Sequence, residues 1–154
     1  MKTAQEWLDE YGESHKNETN KLIHWICVPS IFFSIMGLFY CIKLPLVLNH
    51  MQFNAGMILV VLLTIYYFSL SFRLGIGMLL FGLLCLFLCH EIEKKIPLAL
   101  WIVCVIIFAL AWVGQFYGHK VEGKKPSFLK DIQFLLIGPM WLMSFIYKKI
   151  GIAY

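Results

Sequence analysis

Long stretches without a charged side chain are the feature of this sequence that most restricts its fold. Five such stretches cover residues 22–42, 44–72, 74–89, 96–119 and 132–147. A helix needs about 20 mainly apolar residues to cross the hydrocarbon core of a bilayer. The stretches are therefore long enough for four or five membrane-spanning helices.

The overall composition argues against an ordinary soluble domain. Of the 154 residues, 60% are hydrophobic and 14% are charged, whereas soluble domains have about 25% charged residues. A soluble chain this short leaves much of its surface exposed, so the apolar excess requires a bilayer as a second apolar solvent. We predict a single integral membrane domain over residues 1–154.

The order of the apolar stretches predicts an all-α, multi-pass transmembrane helical bundle with four to five spans. The predicted spans are residues 22–41, 55–72, 74–89 and 98–117. The last apolar run, 132–147, is expected to span, to re-enter or to lie along the interface. A polar loop is predicted at residues 90–97 and a second polar segment at 118–131.

A short amphipathic helix is predicted before the first span, at residues 1–13. Trp7, Leu8 and Tyr11 lie on one side of it at helical spacing. Because Trp and Tyr favour the headgroup level of a membrane, this helix is typical of an interfacial segment.

The basic residues predict the orientation of the bundle. With five spans, eight Lys and Arg residues lie on the N-terminal side and five on the opposite side, and cytoplasmic loops carry the excess of such residues. We expect a cytoplasmic N-terminus, in the inner membrane of a bacterium or the endoplasmic reticulum of a eukaryote. The basic residues are topology signals rather than a nucleic-acid footprint.

Counting the crossings brings two histidine-bearing segments to the same face of the membrane. Four crossings separate the segment with His15 and His24 from the segment with His119, and an even number returns the chain to its starting side. Gly114 and Gly118 form a Gly-x-x-x-Gly pair that permits close helix approach. We expect this pair to bring the fourth span against the first.

These two segments contain a candidate metal site at the membrane surface. Asn17, Asn20 and His24 have i, i+3, i+7 spacing, and His119 and Glu122 have i, i+3 spacing, so each set shares a helix face. Histidines with a carboxylate and open positions suit non-haem Fe(II), and asparagines beside them can orient the ligands. The candidate ligands are His15, His24, His119 and Glu122, with Asn17 and Asn20 as supporting residues.

Simpler interpretations of the same residues stay open. An interfacial histidine is often only solvated or hydrogen-bonded, and Glu122 could be a solvated loop carboxylate. Asn17 and Asn20 could merely cap a helix.

The two remaining histidines are not expected to join the site. His90-Glu91 begins like the His-Glu-x-x-His motif of zinc proteases, but Lys94 occupies the fifth position, so the motif fails. The count of crossings places His90 and His50 on the opposite face.

Both ends of the chain carry a resemblance to a known family. The stretches "YGESHKNETNKLIHWICVPSIFFS" and "WVGQFYGHKVEGKKPSFLKDIQFLLIGPMWL" resemble the Mpo1-like family. The resemblance implies a multi-pass membrane protein and an Fe(II)-dependent dioxygenase that shortens 2-hydroxy fatty acids by one carbon. It implies that His15, His24 and His119 hold the iron, while the other motif positions are matched by Asn17, Asn20 and Glu122.

Other functions make different predictions. A non-enzymatic lipid-binding or scaffold protein of the membrane would bind no metal and would tolerate His→Ala changes. A membrane di-iron desaturase is expected to have more histidines, arranged in His-x-x-His-type boxes. The five histidines here do not form such boxes. Lys120, Lys124 and Lys125 either attract a substrate carboxylate or only set the topology.

Overall fold

The computed structural model describes residues 2–48, 51–123 and 133–154. The helices in these ranges are α1 (Ala4–Gly12), α2 (Glu18–Tyr40), α3 (Ala55–Leu70), α4 (Phe72–Lys95), α5 (Leu100–Glu122) and α6 (Gln133–Lys149). The predicted all-α class is thus confirmed. Two short strands, β1 (Lys43–Leu48) and β2 (Met51–Asn54), form an antiparallel hairpin between α2 and α3 that was not predicted.

Helix α1 forms at the predicted place, but its apolar side is covered by protein. Thr3 and Glu6 form a capping box at its start, which satisfies backbone N–H groups that the helix leaves unpaired. Trp7 and Tyr11 are buried against α6, with the ring of Trp7 5.6 Å from that of Phe134. The helix is amphipathic as predicted, and its apolar face packs on the bundle rather than on a membrane interface.

Helix α2 is central to the bundle, and α5 packs along it in the antiparallel direction. A Cβ atom on Gly114 would lie 2.5 Å from Cys27 Sγ, and one on Gly118 would lie 2.5 Å from Asn20 Oδ1. The two backbones approach this closely because neither glycine has a side chain. The predicted role of the Gly-x-x-x-Gly pair is therefore confirmed.

A tight turn joins α3 and α4, the helices found at the predicted spans 55–72 and 74–89. Ser71 ends α3 and begins α4, where its Oγ accepts a hydrogen bond from the backbone N–H of Leu74 at 3.3 Å. The Tyr67 hydroxyl donates to the Leu136 carbonyl at 2.8 Å, so this helical hairpin is tied to α6.

Helices α4 and α5 extend beyond the predicted spans. The prediction of a polar loop at residues 90–97 is wrong for its first six residues, because α4 continues to Lys95. Glu91 and Lys95, one turn apart, form an ion pair at 2.6 Å, which supports a helix. Helix α5 ends at Glu122, where Gly123 adopts a φ of 73°, the left-handed conformation of a helix C-terminus. Charges therefore mark where the apolar segment ends, not where the helix ends.

Three of the described helices, α2, α4 and α5, are long and apolar enough to cross a membrane, while α3 is apolar but only 16 residues long. Their outer surfaces are apolar as well: Leu62, Leu80 and Leu110 are each about 60–70% exposed. Large exposed apolar surfaces are rare on soluble monomers. Three helices of the bundle, α2, α4 and α5, could therefore be membrane spans.

Candidate metal centre

His15 lies in the turn between α1 and α2, and its ring is held on two sides. The ring stacks on Tyr11, with the two centroids 4.2 Å apart. Its Nδ1 lies 2.6 Å from the Tyr11 carbonyl oxygen. Since a carbonyl oxygen can only accept, Nδ1 carries the proton and donates it to this bond. The other nitrogen, Nε2, is therefore left without a proton in the neutral ring.

His24 lies in the second turn of α2 and is held in the same way. Its Nδ1 lies 2.8 Å from the carbonyl oxygen of Asn20, so Nδ1–H is again the donor. Its Nε2 also has no proton in the neutral ring. Both side chains are only 1% exposed.

His119 comes from the last turn of α5 and completes the group. Its ring centroid lies 5.1 Å from that of His15 and 4.9 Å from that of His24. Its Nδ1 is buried and has no hydrogen-bond partner among the described residues. One nitrogen from each of the three rings lies within 4.8 Å of the others. The predicted approach of the two ends of the chain is thus confirmed in the geometry.

The two Nε2 atoms of His15 and His24 face each other at 2.9 Å. Two unprotonated nitrogens at this distance repel unless a proton or a metal cation lies between them. Desolvation by burial lowers the pKa of His15 from 6.5 to about 4, so a shared proton is disfavoured at neutral pH. A metal cation could take this place between the two donors.

The donor set fits a transition metal. Imidazole nitrogens bind Zn, Cu, Fe and Ni, typically at about 2.0–2.1 Å for zinc. The Nε2 atoms of His15 and His24, 2.9 Å apart, are close enough to bind one such ion together. With three protein ligands, positions stay open for other molecules.

Glu122 is brought to the same end of the bundle, where it binds backbone groups. Its two carboxylate oxygens accept hydrogen bonds from the backbone N–H groups of Lys16 and Asn17, each at 2.9 Å. One of them also accepts from Asn20 Nδ2 at 3.1 Å. The end of α5 is thereby tied to the turn that carries His15. A ligand role for Glu122 stays a prediction.

Asn17 and Asn20 shape the start of α2. The Asn17 side chain is the N-cap and accepts from the backbone N–H of Thr19 at 2.9 Å and of Asn20 at 3.3 Å. Asn20 is completely buried, and its amide nitrogen donates to the Ser14 carbonyl as well as to Glu122. Both residues support the turn around the histidines, and Asn17 is also the helix cap considered as the simpler alternative.

An apolar cavity of about 730 Å³, including its open side, leads away from the three histidines. Val28, Phe32 and Met36 of α2 line it in successive turns. Leu59 and Leu63 of α3 form one wall, Trp112 and Gln115 of α5 form another, and Phe134 and Gly138 of α6 also line it. The site thus combines a polar head with a long apolar chamber.

Sequence reasoning did not include Gln115 among the site residues. A signal was present, because Gln115 lies four residues before His119 and so shares its helix face. The opposite end of the bundle holds His90, whose Nδ1 lies 3.4 Å from the Tyr40 hydroxyl, and its predicted separation from the group is confirmed. His50, Lys124 and Lys125 lie outside the described residues.

Fold and site together define a class: a bundle of long apolar helices that gathers three buried imidazoles at the head of an apolar cavity. The family described as "2-hydroxy-palmitic acid dioxygenase Mpo1-like" matches residues 1–150, and the chain belongs to this Mpo1-like family. The chain is similar to 2-hydroxy-palmitic acid dioxygenase MPO1 of Saccharomyces cerevisiae, with 30% identity over 148 residues. The match covers 94% of this chain and 79% of the yeast protein. No solved structure gives a significant match.

Proposed function

We propose that this protein is an Fe(II)-dependent dioxygenase that shortens 2-hydroxy fatty acids by one carbon, as in fatty-acid α-oxidation. The observation that carries the proposal is the pair of unprotonated nitrogens of His15 and His24, facing each other at the head of an apolar cavity. The name of the yeast relative supplies the substrate class, and the cavity suits an acyl chain.

His15, His24 and His119 are the proposed metal ligands and catalytic residues. Ferrous iron, when bound with open positions, activates dioxygen and orients a substrate. The chain holds the rings in place: the carbonyls of Tyr11 and Asn20 fix His15 and His24 so that each presents Nε2 inward. Such outer hydrogen bonds commonly fix the tautomer of a metal-binding histidine.

The contacts of Glu122 favour a supporting role over direct ligation. Both of its oxygens already accept backbone hydrogen bonds, which leaves the three imidazoles as the proposed ligand set. Together with Asn17 and Asn20, Glu122 holds the turn between α1 and α2 against the end of α5.

The acyl tail of the substrate occupies the cavity in this proposal. From His24 to Met36 the α2 wall advances 12 residues, or about 18 Å at 1.5 Å per residue. Each methylene group buried there contributes about 0.8 kcal/mol. The carboxylate and 2-hydroxyl group then lie beside the histidines, where the cation neutralises the acid. Lys120 is exposed on the last turn of α5 and can attract the acid from solution.

The bilayer is the proposed source of the substrate. Ile35, Leu59 and Leu63 line the cavity and are only partly buried, so the chamber is open on the side where α3 and α5 are not packed together. We further propose four to five spans with a cytoplasmic N-terminus, in the inner membrane of a bacterium or the endoplasmic reticulum of a eukaryote.

Metal analysis and a product assay on the same preparation test the proposal. Protein purified without oxygen should contain one iron per chain, and on addition of 2-hydroxypalmitate and oxygen it should consume O₂ and release an acid one carbon shorter. Protein without bound metal, or turnover that is unaffected when the iron is removed by a chelator, would refute it. A lipid-binding or scaffold protein would bind the acid in the cavity but would neither retain iron nor consume O₂.

A further inference from the structure

Gln115 is a buried polar side chain in the cavity wall. It lies on α5 one turn before His119 and is only 7% exposed. Its amide lies near the imidazole of His24. The described residues that line the cavity include no Lys, Arg, Asp or Glu. Apart from the histidines, Tyr11 and the Trp112 indole, Gln115 is therefore the polar group that a molecule in the cavity can reach.

The depth of Gln115 matches a particular part of the proposed substrate. Because α2 and α5 are antiparallel, His119 is level with His24, and Gln115 lies about 6 Å deeper, at four residues of 1.5 Å each. One turn further along α5, Trp112 faces the apolar chamber. Gln115 therefore lies at the depth where the polar head of a bound acid would join its apolar tail.

We infer that Gln115 recognises the 2-hydroxyl group of the substrate and discriminates against unsubstituted fatty acids. The inference rests on the proposed function and adds to it a residue that determines specificity. A carboxamide offers both a donor and an acceptor, as a hydroxyl group does, so either direction of the hydrogen bond can form. An unsubstituted acid would leave part of the amide's hydrogen-bonding capacity unused in an apolar cavity, and sites of this kind reject substrates that lack the hydroxyl group.

A purely structural role for Gln115 has a different signature. If the amide only positioned His24, its removal would weaken metal binding and would lower the affinity for both kinds of acid by the same factor. If the amide forms a hydrogen bond with the hydroxyl group, removal of the amide should weaken binding of the hydroxy acid but not of the unsubstituted acid. The unsubstituted acid should bind as well as before or more tightly, because no buried amide is left without a partner.

The experiment measures the dissociation constants of 2-hydroxypalmitate and palmitate for the full-length, iron-loaded protein without oxygen. In Gln115→Met, which keeps the length of the side chain and removes the amide, the preference for the hydroxy acid should fall about tenfold, with the iron content unchanged. Gln133→Met is the matched control, since Gln133 lies on α6 outside the cavity lining and donates to the Tyr66 hydroxyl at 2.9 Å. Its preference should equal that of the unmodified protein.

Two results would overturn the inference: an unchanged preference in Gln115→Met, or equal losses of affinity for both acids. The iron content and oxygen consumption of the unmodified protein test the proposed function separately. A protein that turns over 2-hydroxypalmitate but keeps its preference in Gln115→Met would disprove only the role of Gln115.

Discussion

The two ends of this bundle each hold histidine and carboxylate side chains, yet among the described residues one end alone gathers a group that could hold a metal. At one end, His15, His24 and His119 are at most 5% exposed, and the His15 and His24 rings turn unprotonated nitrogens toward each other. At the other end, His90 is exposed, and Glu93 pairs with Lys43 at 2.9 Å.

The difference shows that a buried nitrogen atom without a hydrogen-bond partner in the part of the chain that the structure describes, rather than residue type, distinguishes the candidate metal centre. The charges at the far end neutralise each other, and Lys43 also lies over the ring of Tyr40, 3.9 Å from its centroid. Exposed pairs of this kind contribute about 0–1 kcal/mol and require no further partner. The three buried imidazoles include a nitrogen without a hydrogen-bond partner among the described residues, and burial without a partner costs free energy. A bound cation would remove that cost.

Replacing one histidine at each end gives the largest contrast. His24→Ala should abolish iron binding and turnover, because it removes one of three ligands and the nitrogen that faces His15. His90→Ala should retain both, since His90 lies at the opposite end of the bundle. Metal analysis of the two purified variants, with circular dichroism to confirm their helical content, makes the measurement. Iron retained in His24→Ala would place the metal elsewhere.

The burial of His15 predicts a pH dependence of the metal-free protein. Desolvation lowers its pKa from 6.5 to about 4, so between these values the unfolded chain binds a proton that the folded chain does not. The free energy of unfolding should therefore decrease as the pH falls from about 6.5 to about 4, by about 3 kcal/mol in total. Above pH 6.5 this group should have no effect.

Thermal unfolding of chelator-treated protein between pH 7.5 and 4, in unmodified form and as His15→Leu, isolates this contribution. His24 and His119 remain in both proteins, so the difference between their pH profiles reports the contribution of His15 together with its contacts to these two rings. The profile of His15→Leu should be flatter. Identical profiles would show that the ring is not desolvated as the structure indicates.

Glu122 and Glu93 allow the same comparison for carboxylates. Glu122→Gln keeps the shape of the side chain but leaves it one oxygen acceptor for the backbone N–H groups of Lys16 and Asn17. We expect iron affinity to fall about 10–100-fold, the usual effect of losing a group that supports metal ligands. Glu93→Gln should leave the iron affinity unchanged. Complete loss of iron from Glu122→Gln, or a changed ligand-field spectrum of the iron that it retains, would instead make Glu122 a direct ligand.

The meeting of the histidines could be predicted from the sequence because it follows from counting. Counting each charge-free stretch as one crossing predicts that His15, His24 and His119 return to the same end whatever the details of packing. The lengths of α4 and α5 were less predictable. The apolar stretches end where the polar segments begin, at His90 and Lys120. The helices continue beyond these points because backbone hydrogen bonds, and pairs such as Glu91 with Lys95, stabilise further turns.

The hydrogen bonds that orient the histidines and the turn beside them could not be predicted from the sequence. Glu122 binds the backbone of Lys16, 106 residues away, and this contact depends on where α5 stops relative to the turn between α1 and α2. Side-chain types do not reveal which backbone groups they will meet. The hairpin of β1 and β2 was missed as well, because a proline such as Pro45 is uncommon inside a strand and argues against one.

The smallest expected effect compares two helix caps. The Asn17 side chain accepts from the N–H of Thr19 at the start of α2, and Asn54 accepts from the N–H of Met57 at 3.2 Å at the start of α3. Asn17→Ala and Asn54→Ala should each lower the free energy of unfolding by about 1 kcal/mol, as measured by denaturation of the metal-free proteins.

The two variants should differ in iron affinity, measured by competition with a chelator of known strength. Asn17 begins the helix that carries His24 and lies beside the backbone bonds of Glu122, so its loss should weaken iron binding severalfold. Asn54 lies at the far end, and its variant should bind iron as the unmodified protein does. If both variants lost iron affinity equally, general stability would control the metal centre, and the distinction between the two ends would fail.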